Sequence, residues 1–562
     1  MLETVDRYDH VSCRKKEGAH YTPTHLSKFV SKKIIEKLTK KEKLIVADPA
    51  IGDAELILSL LESLQHTDKV EIFGFDVNSD SIELSKKRIA KYFPNVKVSL
   101  FCGDFLDYCI NSNSELKSYD IPKFDVIIAN PPYVRTQVLG AEQAQFLAKN
   151  FGLKGRVDIY QAFLIGMSKC LSQDGIAGVI VSNKFLTTKG TGALRSSLYD
   201  LYNIYNIWDF GDTKLFEAAV LPAVLLFSLK TEDFNEETAF SSIYESSEEH
   251  HSLAETAIDA ISQEGVVKCS NGKSYSVING QLIFDSSSKD IWRIKDLKSE
   301  QWLDDVKKRT WATFGEVGKV RVGVKTTADN VFIKESWLDE TGLEPELVKP
   351  LITHHVAGKF KQSDKETKYI LYTHRSINGK KKVVDIDQYP ISKAYLNIHR
   401  DQLEGRSYVM KAKRNWFEIW VPQNPQLWLE DKIICRDISE EPTFWLDQKK
   451  SIVNGDCFWM VNDFYPENKD LLWLILAIAN SKFIEKFYDI KFNNKLYSNK
   501  RRFISQYVEQ FPLPDPASEI STRMIKLAKS IFNEKDMVSV KQLEGELNNL
   551  VWEVFDLPQP NN

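Results

Sequence analysis

Four consecutive residues, Asn130-Pro131-Pro132-Tyr133, combine groups suited to one kind of chemistry. They follow an apolar run, Val126-Ile127-Ile128-Ala129, which reads as a buried strand. The Asn130 side-chain oxygen and the Pro131 carbonyl are two acceptors on one short loop. A planar amino nitrogen shares its lone pair with its ring and is a poor nucleophile. Two acceptors on its hydrogens localise that pair toward an electrophile, by electrostatic preorganisation and positioning. The prolines stiffen the loop by fixing φ and removing donors. Tyr133 adds a ring that can stack on a base. The expected reaction is therefore methyl transfer to an amino or amide nitrogen. Taken alone, the tetrapeptide reads equally well as a proline-rich turn; its place after a buried strand favours the chemistry.

Other polar residues end strands in the same way. Leu44–Ala47 ends at Asp48, Val70–Phe75 at Asp76, Val96–Phe101 near Asp104, and Phe124–Ala129 at Asn130. Helices are predicted at Ala54–Ser63, Ser79–Tyr92 and Val157–Leu171, with a fifth strand at Ile176–Ser182. This alternation predicts a parallel, doubly wound sheet, whose ligands sit at the carboxyl ends of its strands. The loop Asp48-Pro49-Ala50-Ile51-Gly52-Asp53-Ala54 is built of small residues that let a cofactor approach the backbone. It lacks a GxGxxG pattern, so a phosphate cradle is not expected. Asp76 is placed to accept from ribose hydroxyls and Asp104 from an adenine amino group. For either acid alone, a helix cap or a turn is the commoner role.

The order of these segments resembles the gamma group of N6-adenine DNA methyltransferases, of the TaqI type. Gly18-Ala19-His20-Tyr21-Thr22-Pro23 is similar to that family's G-x-x-Y-T-P segment, and Asp48 to Ala54 to its D-P-A-x-G-x-G loop. The resemblance implies that Tyr21, Thr22, Asp48 and Ala50 hold the methionine end of S-adenosylmethionine, with Pro23 and Gly52 in the same cofactor site. It implies Asp76 for the ribose and Asp104 for the cofactor's adenine. Phe216, followed by the apolar run Val220 to Phe227, resembles the aromatic that sandwiches a flipped base opposite Tyr133. Val157-Asp158-Ile159-Tyr160 and Ile180 to Leu186 resemble later segments of the sheet. The similarity covers residues 18–228. Beyond them it is confined to Gly323 to Phe332, Phe511-Pro512-Leu513-Pro514 and Leu550-Val551-Trp552. Asp53 and Ala54 depart from the family loop, the latter standing where a glycine is usual. Alanine is tolerable there unless φ must be positive.

The whole chain fits this reading. Its 562 residues are 43% hydrophobic and 27% charged, a globular composition too long for one ordinary domain. The apolar run Leu471–Ala479 is shorter than the ~20 residues a bilayer requires and reads as a buried helix. The polar stretch Met1–His20 resembles no export signal, so a cytoplasmic protein in a bacterial or archaeal cell, without membrane contact, is expected. Seven scattered cysteines without a CxxC pair argue against a disulfide framework and a zinc site. His354-His355 has no carboxylate or cysteine at ligand spacing in the chain, so no metal is expected.

The fold class expected is α/β. A doubly wound Rossmann-like methyltransferase sheet precedes a mixed α+β DNA-recognition domain. Residues 1–235 are assigned to catalysis and 236–300 to an acidic connector. Residues 301–515 form a target-recognition domain, and 516–562 a C-terminal helical segment. The segment 231–300 has 14 acids against 6 Lys and Arg, whereas 301–510 has 29 against 34. Nine of the twelve tryptophans fall in 301–515, which suggests a second packed domain. Candidate DNA contacts are Lys491, Asn493, Asn494, Lys495, Lys500, Arg501 and Arg502, with Lys413 and Arg414 on a second basic segment. A solvated basic surface is the competing reading of both.

These expectations combine as methyl transfer from S-adenosylmethionine to N6 of a flipped adenine in double-stranded DNA, by a monomer. The setting is a restriction-modification or related defence system with a separate cognate endonuclease. N4-cytosine methylation, methylation of RNA or protein glutamine, and a silent DNA-binding specificity subunit are the alternatives. N4-cytosine enzymes commonly carry Ser where Asn130 stands, and C5-cytosine chemistry needs a Pro-Cys pair that this chain lacks. No PD…ExK arrangement is evident in the C-terminal half, so nuclease activity is expected on another chain.

Overall fold

Strands rich in Val, Ile and Phe build one sheet of twelve strands. The computed structural model describes residues 22–110, 121–133, 141–154, 157–216, 221–246, 252–283, 287–295, 297–363, 368–492, 495–496 and 500–559. Tyr21, Asn493 and Asn494 lie outside the described residues. The chain forms two compact units, residues 1–297 with 495–499, and residues 298–494 with 500–562.

In the first unit the strands are β1 (Leu44–Asp48), β2 (Val70–Asp76), β3 (Lys97–Cys102), β4 (Phe124–Ala129), β5 (Leu171–Ser182), β6 (Tyr202–Asp209), β7 (Pro222–Leu229), β8 (Ala239–Ser246), β9 (Ser252–Ala254), β10 (Gly265–Cys269), β11 (Ser274–Ile283) and β12 (Arg293–Lys295). Their spatial order is β3-β2-β1-β4-β5-β7-β6-β8-β11-β10-β9, with β12 pairing β11. β1 to β5 are mutually parallel, and β7 inserts antiparallel between β5 and β6. The parallel strands are buried on both faces and so read as near-continuous apolar runs. Alternate residues feed two cores. Val46, Ile72, Val126, Ile128 and Ile180 enter one, and Ala47, Phe73, Ile127, Ala129 and Val181 the other.

Helix α1 (Thr24–Lys37) covers the first of these faces with Leu26, Val30 and Ile34. It packs closely because Gly178 of β5 has no side chain: a Cβ there would lie 2.7 Å from Ile34 Cδ1. Helices α2 (Glu55–Ser63) and α3 (Ser79–Tyr92) follow β1 and β2. Asn78 caps α3 by accepting from the Asp80 and Ser81 amides.

Two expectations change. Residues 236–300 are not a connector: β8 to β12 continue the same sheet, β8 beside β6 and β11 beside β8. Their strands alternate polar and apolar residues because one face stays wet. Asn279-Gly280 splits the apolar pattern of β11, which is nonetheless one ten-residue strand. The helix expected at Val157–Leu171 spans only Ile159–Gly166; after a tight turn at Met167–Lys169, Leu171 already opens β5.

The second unit contains two four-stranded sheets. One joins Arg321–Val322, Cys457–Met460, Lys432–Arg436 and Phe444–Asp447; the other joins Ile333–Lys334, Lys368–Leu371, Val348–Ile352 and Ile452–Val453. Trp337, Trp428, Trp445 and Trp459 fill the core they share. Gly323 passes so close to Asn454 that a Cβ would meet its carbonyl oxygen at 2.0 Å. Leu471–Ala479 lies in the buried helix Asp470–Ala479. Helices Glu519–Asn533 and Met537–Val554 belong to this same unit rather than to a segment of their own. No described helix is long and apolar enough to cross a membrane.

Candidate active site

The carboxyl ends of β1, β2 and β4 place Asp48, Asp76 and Asn130 along one edge, with Asp104 just past β3. Asn130 is held from two sides. Its Nδ2 donates to Thr22 Oγ1 at 3.0 Å, and its Oδ1 accepts from the Tyr133 hydroxyl at 2.9 Å. The amide is therefore oriented, with its acceptor end toward Tyr133. Burial, with Tyr160 alongside, pushes the Tyr133 phenol well above its usual range and keeps it a donor. Tyr133 packs with the core on one face of the sheet, its ring centroid 6.4 Å from that of Tyr160. Phe216 is buried in the core of the opposite face. The two rings thus belong to different faces of the sheet.

Asp48 is 1% exposed and accepts from the Ala50 amide at 3.0 Å. Burial, and then the nearby charges of Asp76 and Asp53, push its carboxyl up to about 8 against that hydrogen bond. A buried acid in this condition favours a cationic partner. Asp76 organises the loop: its Oδ2 accepts from Gly52 N at 3.0 Å and its Oδ1 from Asn78 N at 2.9 Å. A carboxylate oxygen accepts from more than one donor, so these bonds leave capacity for hydroxyl groups. Asp104 is exposed and accepts from Leu106 N at 2.8 Å, a helix-start role.

Gly52 has φ +54° and Ala54 φ +63°, so both lie in the left-handed region. Ala54 occupies the conformation for which the usual glycine is suited, at a cost of roughly 1–2 kcal/mol. The added acids are neutralised within the loop. Arg88 of α3 reaches Asp53 Oδ2 at 2.9 Å and Glu55 Oε2 at 2.7 Å, and also donates to the Asp53 carbonyl. Thr24 Oγ1 donates to Glu55 Oε1 at 2.6 Å, which ties α1 to the cluster. The sequence reading missed Arg88, whose partners lie more than thirty positions away. It also missed Val77, next to Asp76, which is 70% exposed.

The basic segments of the C-terminal half divide. Arg501 is buried and makes 2.7 Å bonds to both oxygens of Asp489 and a 3.1 Å contact to Glu485. Arg502 pairs with Asp437 at 2.6 Å, and Arg414 donates to the Trp420 carbonyl with its guanidinium 4.8 Å from the Trp420 ring. Arg501 is therefore an internal anchor rather than the phosphate contact expected from its sequence, whereas Arg502, its side chain 41% exposed, is tied to Asp437. Lys413 and Lys500 are exposed, Lys491 ends a helix, and Lys495 lies in the two-residue strand Lys495–Leu496. His354 Nδ1 lies 2.5 Å from Asp456 Oδ2, a partner invisible in local spacing. Among the described residues no group of three potential metal ligands forms.

The acidic carboxyl edge and its oriented Asn130 stand on a Rossmann-like methyltransferase sheet. The family described as Eco57I restriction-modification methylase matches residues 70–216, and the TaqI-like C-terminal specificity domain matches residues 367–513. Type II methyltransferase M.BanIII of Aneurinibacillus aneurinilyticus is 40% identical, with 96% of each chain covered. Type II methyltransferase M.BstVI of Geobacillus stearothermophilus is 23% identical over 77% of this chain and 74% of its own. The fold is that of the Type IIL restriction-modification enzyme MmeI solved with DNA, at a TM-score of 0.61, 14% identity, and coverage of 99% of this chain and 78% of that one. The chain belongs to the Type II DNA methyltransferases of restriction-modification systems, with a C-terminal specificity domain. Its methyl donor is S-adenosylmethionine. The site is compatible with that donor: it has the buried acid Asp48, a loop of small residues, a second acid, Asp76, whose oxygens can accept further hydrogen bonds, and the exposed Val77.

Proposed function

We propose that this enzyme methylates N6 of an adenine flipped out of duplex DNA. The observation that carries this reading is the fixed Asn130 amide, held by Thr22 with its acceptor end at the mouth of β4. On binding, the adenine amino group replaces the Tyr133 hydroxyl at Asn130 Oδ1 and gives its second hydrogen to the Pro131 carbonyl. Both acceptors are neutral, so they orient and polarise the nitrogen without deprotonating it. The surplus proton leaves to water after transfer. Pro131 and Pro132 hold the loop, and Tyr133 and Phe216 contact the base from the two faces of the sheet. Extruding the base costs a few kcal/mol, which contacts to the flanking DNA offset.

S-adenosylmethionine supplies an electrophilic methyl group. Asp48, with Tyr21, Thr22, Pro23, Ala50 and Gly52, holds its methionine end; Asp76 holds the ribose, and Asp104 the adenine over Val77. Asn130 in place of serine, and the order of the segments, support adenine over cytosine. The first unit acts as catalyst and the second as reader. The enzyme works as a monomer on DNA and protects sites cut by a separate endonuclease.

Sequencing that maps modified bases in DNA from a host expressing the protein tests this reading. N6-methyladenine at one recurrent sequence is expected. N4-methylcytosine there would refute the choice of base. No transfer of tritium from labelled cofactor to any genomic DNA would refute catalysis.

A further inference from the structure

In the second unit, His374–Ile377 and Lys380–Val383 form an isolated antiparallel hairpin. Its tip is Asn378-Gly379, at φ +52° and +71°, a two-residue turn matched to strand twist. Arg375 lies directly opposite Lys382, Ser376 opposite Lys381, and Ile377 opposite Lys380. Directly opposed residues share a face. Arg375, Lys380 and Lys382 therefore project from one face of the ribbon, with Ile377 among them. Lys381 projects from the other.

All four cations are exposed. Among the described residues none forms an ion pair or a side-chain hydrogen bond. Other cations of this unit, Lys359, Lys393, Lys482, Arg501 and Arg502, each meet a carboxylate. Like charges directly opposed on a ladder are destabilising, so folding does not explain Arg375 facing Lys382. The hairpin also adjoins a basic segment singled out in the sequence. Burial holds the His374 imidazole below its usual range against the pull of Glu418, and the charges of Lys381 and Arg414 act with burial. His374 Nε2 lies 3.6 Å from Glu418 Oε2, and Glu418 Oε1 accepts from the Asn415 amide at 2.9 Å, which brings the Lys411–Trp416 segment beside the ribbon.

We propose that this hairpin is a DNA-docking ribbon, with Arg375, Lys380 and Lys382 placed against the phosphates of duplex DNA. A two-stranded ribbon matches the width of the major groove, and uncompensated Lys and Arg match phosphate. The inference rests on duplex DNA being the substrate.

The test compares the full chain with Arg375→Ala/Lys380→Ala/Lys382→Ala, using sheared genomic duplex DNA as probe at 50 to 200 mM salt. A control triple, Arg523→Ala/Lys526→Ala/Lys541→Ala, removes exposed cations from the two C-terminal helices. Each phosphate contact contributes about 0.9 to the slope of log affinity against log salt. Over that fourfold range each lost contact removes about 3.5-fold of the affinity drop, and three remove about 40-fold. The hairpin variant is expected to show this flattening with unchanged cofactor affinity, and the control to keep the wild-type slope. A hairpin variant with the wild-type slope, or equal flattening in both, overturns the proposal while leaving the methyltransferase reading intact. Flattening with single-stranded RNA but not with duplex DNA also overturns it. Failure of the wild type to bind duplex DNA overturns both. Single Lys380→Gln, expected to remove about one contact, decides the matter if the triple variant does not fold.

Discussion

Asp48→Asn isolates the most perturbed acid of the cofactor edge. Asparagine keeps the shape and the acceptor for the Ala50 amide but carries no ionisable proton. The Asp48 carboxyl is pushed up to about 8 from an ordinary 3.8, so the folded state holds its proton more tightly than the unfolded chain does. Below pH 3.8 both states are protonated and the stability is fully present. It falls as pH rises, by about 1.4 kcal/mol per unit, until the folded group ionises near pH 8. At pH 7 the loss is on the order of 4 kcal/mol, without a discount for solvent screening because the side chain is 1% exposed. The asparagine variant escapes this loss. Its stability relative to wild type is expected to climb steadily between pH 5 and 8 in urea unfolding of the protein without cofactor. Its affinity for S-adenosylmethionine is expected to fall in the same series, because the cationic amine loses its counter-charge. Calorimetry of wild type near pH 6.5, in buffers of different ionisation heat, is expected to show a proton released on cofactor binding, absent in the variant. A stability difference that does not change with pH would refute the reasoning.

Asn130→Ala should abolish methyl transfer while leaving duplex binding within a few-fold; retained turnover would remove Asn130 from the chemistry. Asp76→Ala should remove the proposed hydrogen bonds to ribose, worth about 1.5–3 kcal/mol, so cofactor affinity should fall by roughly 10- to 150-fold in calorimetry, and unchanged affinity would count against the assignment. Arg501→Ala leaves Asp489 and Glu485 without their buried guanidinium and should destabilise the second unit by about 3–5 kcal/mol in urea. Ala54→Gly relieves left-handed strain but loses a buried methyl and frees the unfolded chain. Its unfolding free energy should stay within about 1 kcal/mol of wild type, whereas Ala54→Val, with a branched Cβ in the left-handed region, should cost more.

What could be read from the chain followed from locality. β4 and α3 were placed to the residue because apolar runs and caps are local signals. Asp48, Asp76 and Asn130 were placed because each directly ends or follows its strand. Of β8 to β12, only weak strand signals at Ser274–Ile278 and Gln281–Phe284 were legible, because half-wet strands carry weak patterns and Gly280 interrupts β11. Arg501 and Arg502 looked like DNA contacts because their partners Asp489 and Asp437 lie 12 and 65 positions away. The acidity of Asp53 stood out as a departure from the family loop for the same reason, since Arg88 approaches it only in three dimensions. Positive φ at Ala54 was named as the condition that matters, but the residue type alone did not decide it.

The continuation of the sheet through β8 to β12 also separates charge. Segment 231–300 carries a net charge of −8. In the strand order β4-β5-β7-β6-β8-β11-β10-β9, seven steps separate the Asn130 strand from the far edge. At about 4.8 Å a step that is about 34 Å, roughly four Debye lengths at physiological salt. Glu255, Asp259 and Glu264, which flank β9 and β10 at that far edge, are therefore screened at physiological salt from a polyanion at the Asn130 strand, and act on it only at low ionic strength.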